Sequence, residues 1–145
     1  MTTSSWISLS ANFSDEREKL LRAVWADKYP HLWDTKNNRP SSAAFKDKNG
    51  LSVDRAGQRT DAEAVEYAKN HLHGFIVAAT VEMCRKANVS PKYLPSKTNP
   101  YHSELHGSET TKPFSPMQAL TLARNVIILY CPEENSMQIS INPST

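Results

Sequence analysis

Apolar positions along the chain come in short groups separated by polar, proline-containing stretches, and the spacing inside each group predicts an element. Leu20, Leu21, Val24 and Trp25 share one stripe at helical spacing, behind Ser14-Asp15-Glu16, whose capping hydroxyl and first-turn acids suit a helix start. A helix over 15–27, ending before Pro30, follows. Ala43-Ala44-Phe45 and Leu51-Ser52-Val53 read as two short strands around the turn Lys48-Asn49-Gly50. Thr60-Asp61-Ala62-Glu63 is a capping box opening a helix over 61–72, with Val65, Ala68 and Leu72 toward the core. Phe75-Ile76-Val77-Ala78-Ala79 is continuously apolar, as a strand buried on both faces is. Thr80 caps a short helix through Ala87, and Asn88 suits the left-handed position that ends it.

Residues 89–101 hold three prolines and little periodicity, which predicts a loop. Ser115-Pro116 opens a last helix over 116–127, and Met137, Ile139 and Ile141 alternate as an edge strand does. The sum is an α+β fold, one domain over 1–145, with a mixed sheet around Phe75–Ala79 and about three helices packed on it.

Composition narrows the class of protein more than its chemistry. Seventeen basic against fifteen acidic side chains leave a formal charge of +2, too balanced to argue for nucleic acid from charge alone. Cys84 and Cys131 are isolated and lack metal-ligand spacing, so free thiols in a reducing compartment are expected. The opening Met1-Thr2-Thr3-Ser4-Ser5-Trp6-Ile7 lacks the basic and apolar regions of a secretory signal. No apolar run approaches the ~20 residues of a membrane helix. A cytoplasmic protein without a membrane partner is expected.

The densest chemistry lies in Asn99-Pro100-Tyr101-His102-Ser103-Glu104-Leu105-His106-Gly107. If extended, this segment puts His102, Glu104 and His106 on one face and its packing residues on the other. Residues two apart would be about 7 Å from each other and residues four apart about 13 Å, so two of the three side chains can share a zinc and all three cannot. Direct acid–base use is therefore preferred, with His102 moving a proton and Glu104 orienting it or stabilising charge. No metal or other cofactor is expected. A second polar group is Arg39-Pro40-Ser41-Ser42 with Ser52, Asp54 and Arg55. Arg39 offers a planar fork for a phosphate, Ser41, Ser42 and Arg55 complete an anion cradle, and Ser52 and Asp54 order the neighbouring strand. Lys46, Lys48, Arg55 and Arg59 form a basic stretch of the kind that is usually a solvated face. Trp25 reads as core and Trp33 as a stacking platform or partner anchor. His71 and His73 suit the end of a helix by charge and are given no catalytic part.

The order Arg39, Ser52, Glu104 resembles the Arg, Ser, Glu order of ADP-ribosyltransferases, which implies phosphate binding, strand support and stabilisation of an oxocarbenium-like state, respectively. From about Arg39 to Arg124 the chain also resembles a group of small uncharacterised bacterial proteins. That pattern runs Arg39-Pro40-Ser41-Ser42-Ala43-Ala44-Phe45, Leu51-Ser52-Val53-Asp54, Asn99-Pro100-Tyr101-His102-Ser103-Glu104 and a closing Ala-Leu-rich helix. This second resemblance implies that the two polar groups belong together, and no activity. The expectation is a bacterial enzyme with a metal-independent site made of Arg39, Ser41, Ser42, Ser52, Asp54, Arg55, His102 and Glu104. It would act on a phosphate-containing small molecule or nucleic acid, by phosphodiester cleavage or ADP-ribosyl-type transfer. The alternative is a non-catalytic interaction subunit of a larger assembly with a protein partner.

Overall fold

The segment with the strongest helical stripe near the amino end forms a strand in the middle of the sheet. In the computed structural model, which describes residues 9–132, β1 is Lys19–Val24. Leu20, Leu21 and Val24 are all buried there, because a strand covered on both faces carries apolar residues in succession, and such a run also satisfies helical spacing. The remaining elements are β2 (Trp33–Asp34), β3 (Arg39–Pro40), β4 (Leu51–Arg55), α1 (Asp61–His71), β5 (Phe75–Thr80), α2 (Val81–Lys86), β6 (Ser90–Tyr93), β7 (His102–His106), α3 (Pro116–Asn125) and β8 (Ile127–Tyr130). The fold is α+β. Six strands form one sheet in the order β6-β7-β4-β1-β5-β8, and β2 and β3 form a separate ribbon.

Four sequence expectations change in detail. Every registered strand pair among the described residues is antiparallel, where a mixed sheet was expected. The crossover β4-α1-β5 does join parallel strands, but β1 lies between them and pairs antiparallel with both. Ser42–Phe45 is a 3-10 turn and not a strand. Ala44 and Phe45 are both buried, and a strand would send neighbours to opposite faces. Ser90–Tyr93, inside the expected loop, is an edge strand, where Pro91 costs little because its missing N–H can face away from the ladder. The last helix ends at Asn125, and Ile127 begins β8. The alternation at Met137, Ile139 and Ile141 lies outside the described residues.

The capping expectations at Thr60, Thr80, Asn88 and Ser115 hold, whereas Ser14 caps no helix. Thr60 and Glu63 form the reciprocal box at the start of α1, and Ser115 and Gln118 do the same for α3 behind Pro116. Asn88 takes φ 61 after α2. The two faces of the sheet differ. Leu20, Val24, Leu51, Val53, Phe75, Val77 and Leu105 form one core with α3 residues Ala119, Leu122 and Ala123 and with Ala44 and Phe45 of the 3-10 turn. Trp33, expected at the surface, belongs to this core and stacks on Phe75 with ring centroids 3.6 Å apart. On the other face, Leu21, Ile76 and Ala78 pack under Ala64 and Ala68 of α1, which lies against β1, β5 and β8. The β4-β7-β6 part of that second face carries polar side chains.

Candidate functional site

Strand register assembles the polar face. β7 is extended as expected, and it pairs with β4 so that His102 stands opposite Asp54 and Glu104 opposite Ser52. β6 adds Lys92 opposite Glu104 and Ser90 opposite His106. Residues paired across an antiparallel ladder share a face, so these side chains and Ser52 line one surface beside α1.

Within it, Glu104 pairs with His106 (Oε1 to Nε2, 2.9 Å), and so does not orient His102 as expected. Both rings are two residues from Glu104, and Gly50 decides between them. Gly50 has φ +92, and a Cβ there would come 2.9 Å from His106 Cδ2 and 3.1 Å from Glu104 Oε1. The space left by its missing side chain lets the His106 ring lie against Glu104.

His102 is held from the other side: Nδ1 is 3.0 Å from Leu94 O. A carbonyl only accepts, so Nδ1 carries the proton and Nε2 of the neutral ring presents its lone pair. The same logic applies to His71 at the end of α1, whose Nδ1 donates to Tyr67 O at 2.8 Å. Asp54 is 7% exposed, and its Oδ1 accepts from Asn99 Nδ2 at 2.8 Å. Asn99 Oδ1 in turn accepts from Tyr101 N (2.9 Å) and the Tyr67 hydroxyl (3.3 Å), tying the loop before β7 to α1. Burial, and then the Asp54 carboxylate, push the Tyr67 phenol above its ordinary value.

These groups meet at a fault in the sheet. β1 pairs with β5 over six residues but with β4 only at Leu20–Arg55 and Leu21–Asp54. Past Leu21, Arg22 fills the gap: Nη1 donates to Ser52 O at 3.1 Å and Nε to Ala44 O at 3.2 Å. A cavity of about 180 Å³ opens there. Leu21, Ala23 and Leu72 give it an apolar lining, and Arg22, Ser52, Asp54, His71, Asn99 and His102 supply its polar groups. Burial lowers the Arg22 guanidinium from its ordinary value, with Asp47 offsetting part of the effect. Among the described residues no carboxylate lies within ion-pairing distance of it.

Of the expected site, Ser52, Asp54 and His102 share this cavity, and Glu104 stands beside Ser52. The Arg39 group lies elsewhere. Arg39 is on the β2–β3 ribbon, 3.9 Å from Asp34. Ser41 donates from Oγ to His31 O, and Ser42 begins the turn packed under α3. Arg55 is 3% exposed, with Nε and Nη2 on Glu18 at 2.8 Å and Nη1 donating to Ser10 O. With these donors engaged it is an internal ion pair and not part of an anion cradle with Arg39. Arg59 is not on a solvated face either: its guanidinium lies 3.3 Å from the Tyr101 ring centroid, and Nη1 is buried without a partner among the described residues.

Sequence reading passed over Arg22, and it read His71 only as a charge suited to the end of a helix. The available signal for Arg22 was a lone cation inside Leu20-Leu21-Arg22-Ala23-Val24, where a chain interior needs a reason for charge. A wider groove of about 810 Å³ runs along β6, but its charges are matched. Arg85 bonds Glu16 and Phe13 O, and Lys92 and Ser90 both bond Glu109. Among the described residues, no three His, Cys, Asp or Glu side chains are grouped to hold a metal ion, and no described helix is long and apolar enough to cross a membrane. Comparison with protein-family models, curated proteins and solved structures finds no match.

Proposed function

We propose that the cleft between β1 and β4 is an acid–base site for a phosphate-containing ligand. One observation carries the reading: Arg22, whose largely buried guanidinium has only neutral carbonyls as partners among the described residues, and His102, whose Nδ1 is held by a carbonyl so that Nε2 is left for chemistry, both line the cavity at this break in the sheet. A buried cation held by neutral acceptors keeps much of its desolvation cost, and an anion in the cleft would offset it. Arg22 thus takes the part expected of Arg39. His102 Nε2 accepts the proton of the attacking group, and Asp54, opposite it in register, favours the charged ring that results. Asn99 fixes Asp54, and Ser52 offers a hydroxyl at the rim.

Titration calorimetry with inorganic phosphate and with a nucleoside 3′-monophosphate tests this. Both bind the wild-type chain, and Arg22→Gln weakens both by about 10- to 100-fold, or ~1.4–2.7 kcal/mol. Arg39→Gln leaves them unchanged. Absence of binding, or loss of it through Arg39 alone, would refute the assignment. A non-catalytic interaction subunit is favoured by a different observation, the edge strand β8 with Ile127 and Ile128 38% and 37% exposed. Sedimentation from 1 to ~100 µM tests whether that edge self-associates, on a scale where micromolar affinity corresponds to about −8 kcal/mol.

A further inference from the structure

Resting on that reading, we infer that the ligand is single-stranded RNA, that the bond broken is its phosphodiester, and that His71 is the second proton-transfer group. His71 and His102 reach the cavity from different elements, the end of α1 and the start of β7. Each has Nδ1 committed to a backbone carbonyl, so each turns Nε2 to its surroundings. Displacement at phosphorus needs one proton taken from the nucleophile and one given to the leaving oxygen. Two such imidazoles, lining one cavity with Arg22, supply both transfers, and the arginine supplies the charge stabilisation.

Cavity size selects the substrate. About 180 Å³ is well below the ~300–1,000 Å³ of pockets that enclose a whole small ligand. It accommodates the reacting phosphate and part of a sugar, and the flanking nucleotides must lie outside it. Two surfaces adjoin the cleft. One is the polar β4-β7-β6 face with Ser52, Glu104, His106 and Lys92. The other continues β1: Leu21 and Ala23 line the cavity, and Trp25, next on the same side, stacks on His73 with centroids 4.4 Å apart at 22°. Lys28 Nζ is 4.9 Å from the Trp25 ring centroid. The exposed His73 ring of this stacked pair, with Lys28 over the Trp25 ring, fits an unstacked base and its phosphate.

The reaction balances with no co-reactant. A ribose 2′-hydroxyl gives its proton to His102 Nε2 as its oxygen bonds to phosphorus. The P–O5′ bond breaks, and O5′ takes the Nε2 proton of protonated His71. The products are a 2′,3′-cyclic phosphate and a 5′-hydroxyl, and water returns the two rings to their starting states.

The test incubates the full chain with end-labelled single-stranded RNA, the same strand carrying one 2′-deoxy position, and the equivalent DNA. Expected are RNA fragments ending in 2′,3′-cyclic phosphate, a gap at the deoxy position and intact DNA. His71→Ala and His102→Ala each slow cleavage by at least ~10²-fold while the chain stays folded and still binds phosphate. Equal cleavage of DNA, or a full rate in His71→Ala, would overturn the inference. So would intact RNA with a chain that binds inorganic phosphate, an outcome that leaves the anion site standing. Failure to bind phosphate removes both readings.

Discussion

Two arginines project from neighbouring strands toward the same side of the sheet, and their surroundings are opposite. Arg55 is enclosed between the rings of Phe13 and Tyr93, at 4.1 and 4.8 Å, and gives Nε and Nη2 to the two oxygens of Glu18. Glu18 also accepts from Gly57 N at 2.8 Å. Arg22, two residues past the register partner of Arg55, has two carbonyls and a cavity. A buried charge whose partners are complete belongs to the fold. One held by neutral acceptors alone is, on the reading proposed above, where a ligand would complete the set.

The largest effect that can break this contrast is on stability. Glu18→Ala leaves the Arg55 guanidinium buried without its counter-charge and should cost about 3–5 kcal/mol in urea unfolding at pH 7. The double change Glu18→Leu with Arg55→Met should restore most of that, because an apolar pair of similar volume needs no hydration. A loss under ~1 kcal/mol in the single variant would put Arg55 in the same class as Arg22.

Arg22→Met is the converse. Its carbonyl partners keep partial access to water, so stability should change by no more than about 1 kcal/mol while phosphate binding is lost. A loss of stability as large as that in Glu18→Ala would make Arg22 a structural bridge between β1 and β4 and would remove the site.

Gly50→Ala addresses the polar face, where His106 and Glu104 occupy the space a Cβ would need. With φ at +92 the substitution should cost about 1–3 kcal/mol. RNA cleavage should persist at reduced rate, since neither His71 nor His102 touches Gly50. Complete loss of activity at retained stability would move the chemistry from the cleft to the Glu104–His106 pair.

Much of the fold was legible where local signals and tertiary burial agree. Both capping boxes, the continuous run at Phe75–Ala79 and the alternation of His102, Glu104 and His106 each admit one element and form it. Leu20-Leu21-Arg22-Ala23-Val24 was not legible, because burial on both faces erases the period of two that identifies a strand. That one misreading hid the proposed cleft. A helix would have given Arg22 a solvent-facing position, whereas the strand sets it in the gap with β4. Arg39 misled for a different reason. Sequence shows which groups can bind an anion, but proximity to His102 depends on register between β4 and β7, and Arg39 lies on neither strand.

The smallest expected effect concerns a charge of a third kind, exposed and satisfied locally. The Glu63 carboxylate accepts from Thr60 N at 2.8 Å and from Thr60 Oγ1 at 3.2 Å, and these bonds hold its pKa below the ordinary carboxylate value. A depressed folded value means that the associated stability is present above the unfolded value near ~4.3 and is lost as pH falls through the folded one. Glu63→Gln keeps an acceptor for the capping box and removes the charge at the start of α1. The variant should therefore melt slightly below the wild type at pH 7, and the difference should close as the pH drops under about 4. A difference that stays constant with pH would mean that geometry alone, and not charge, supplies the cap. In the cleft the same titration logic has the opposite context, since Arg22 keeps its charge across this range, and melting curves with added phosphate should separate the two contributions.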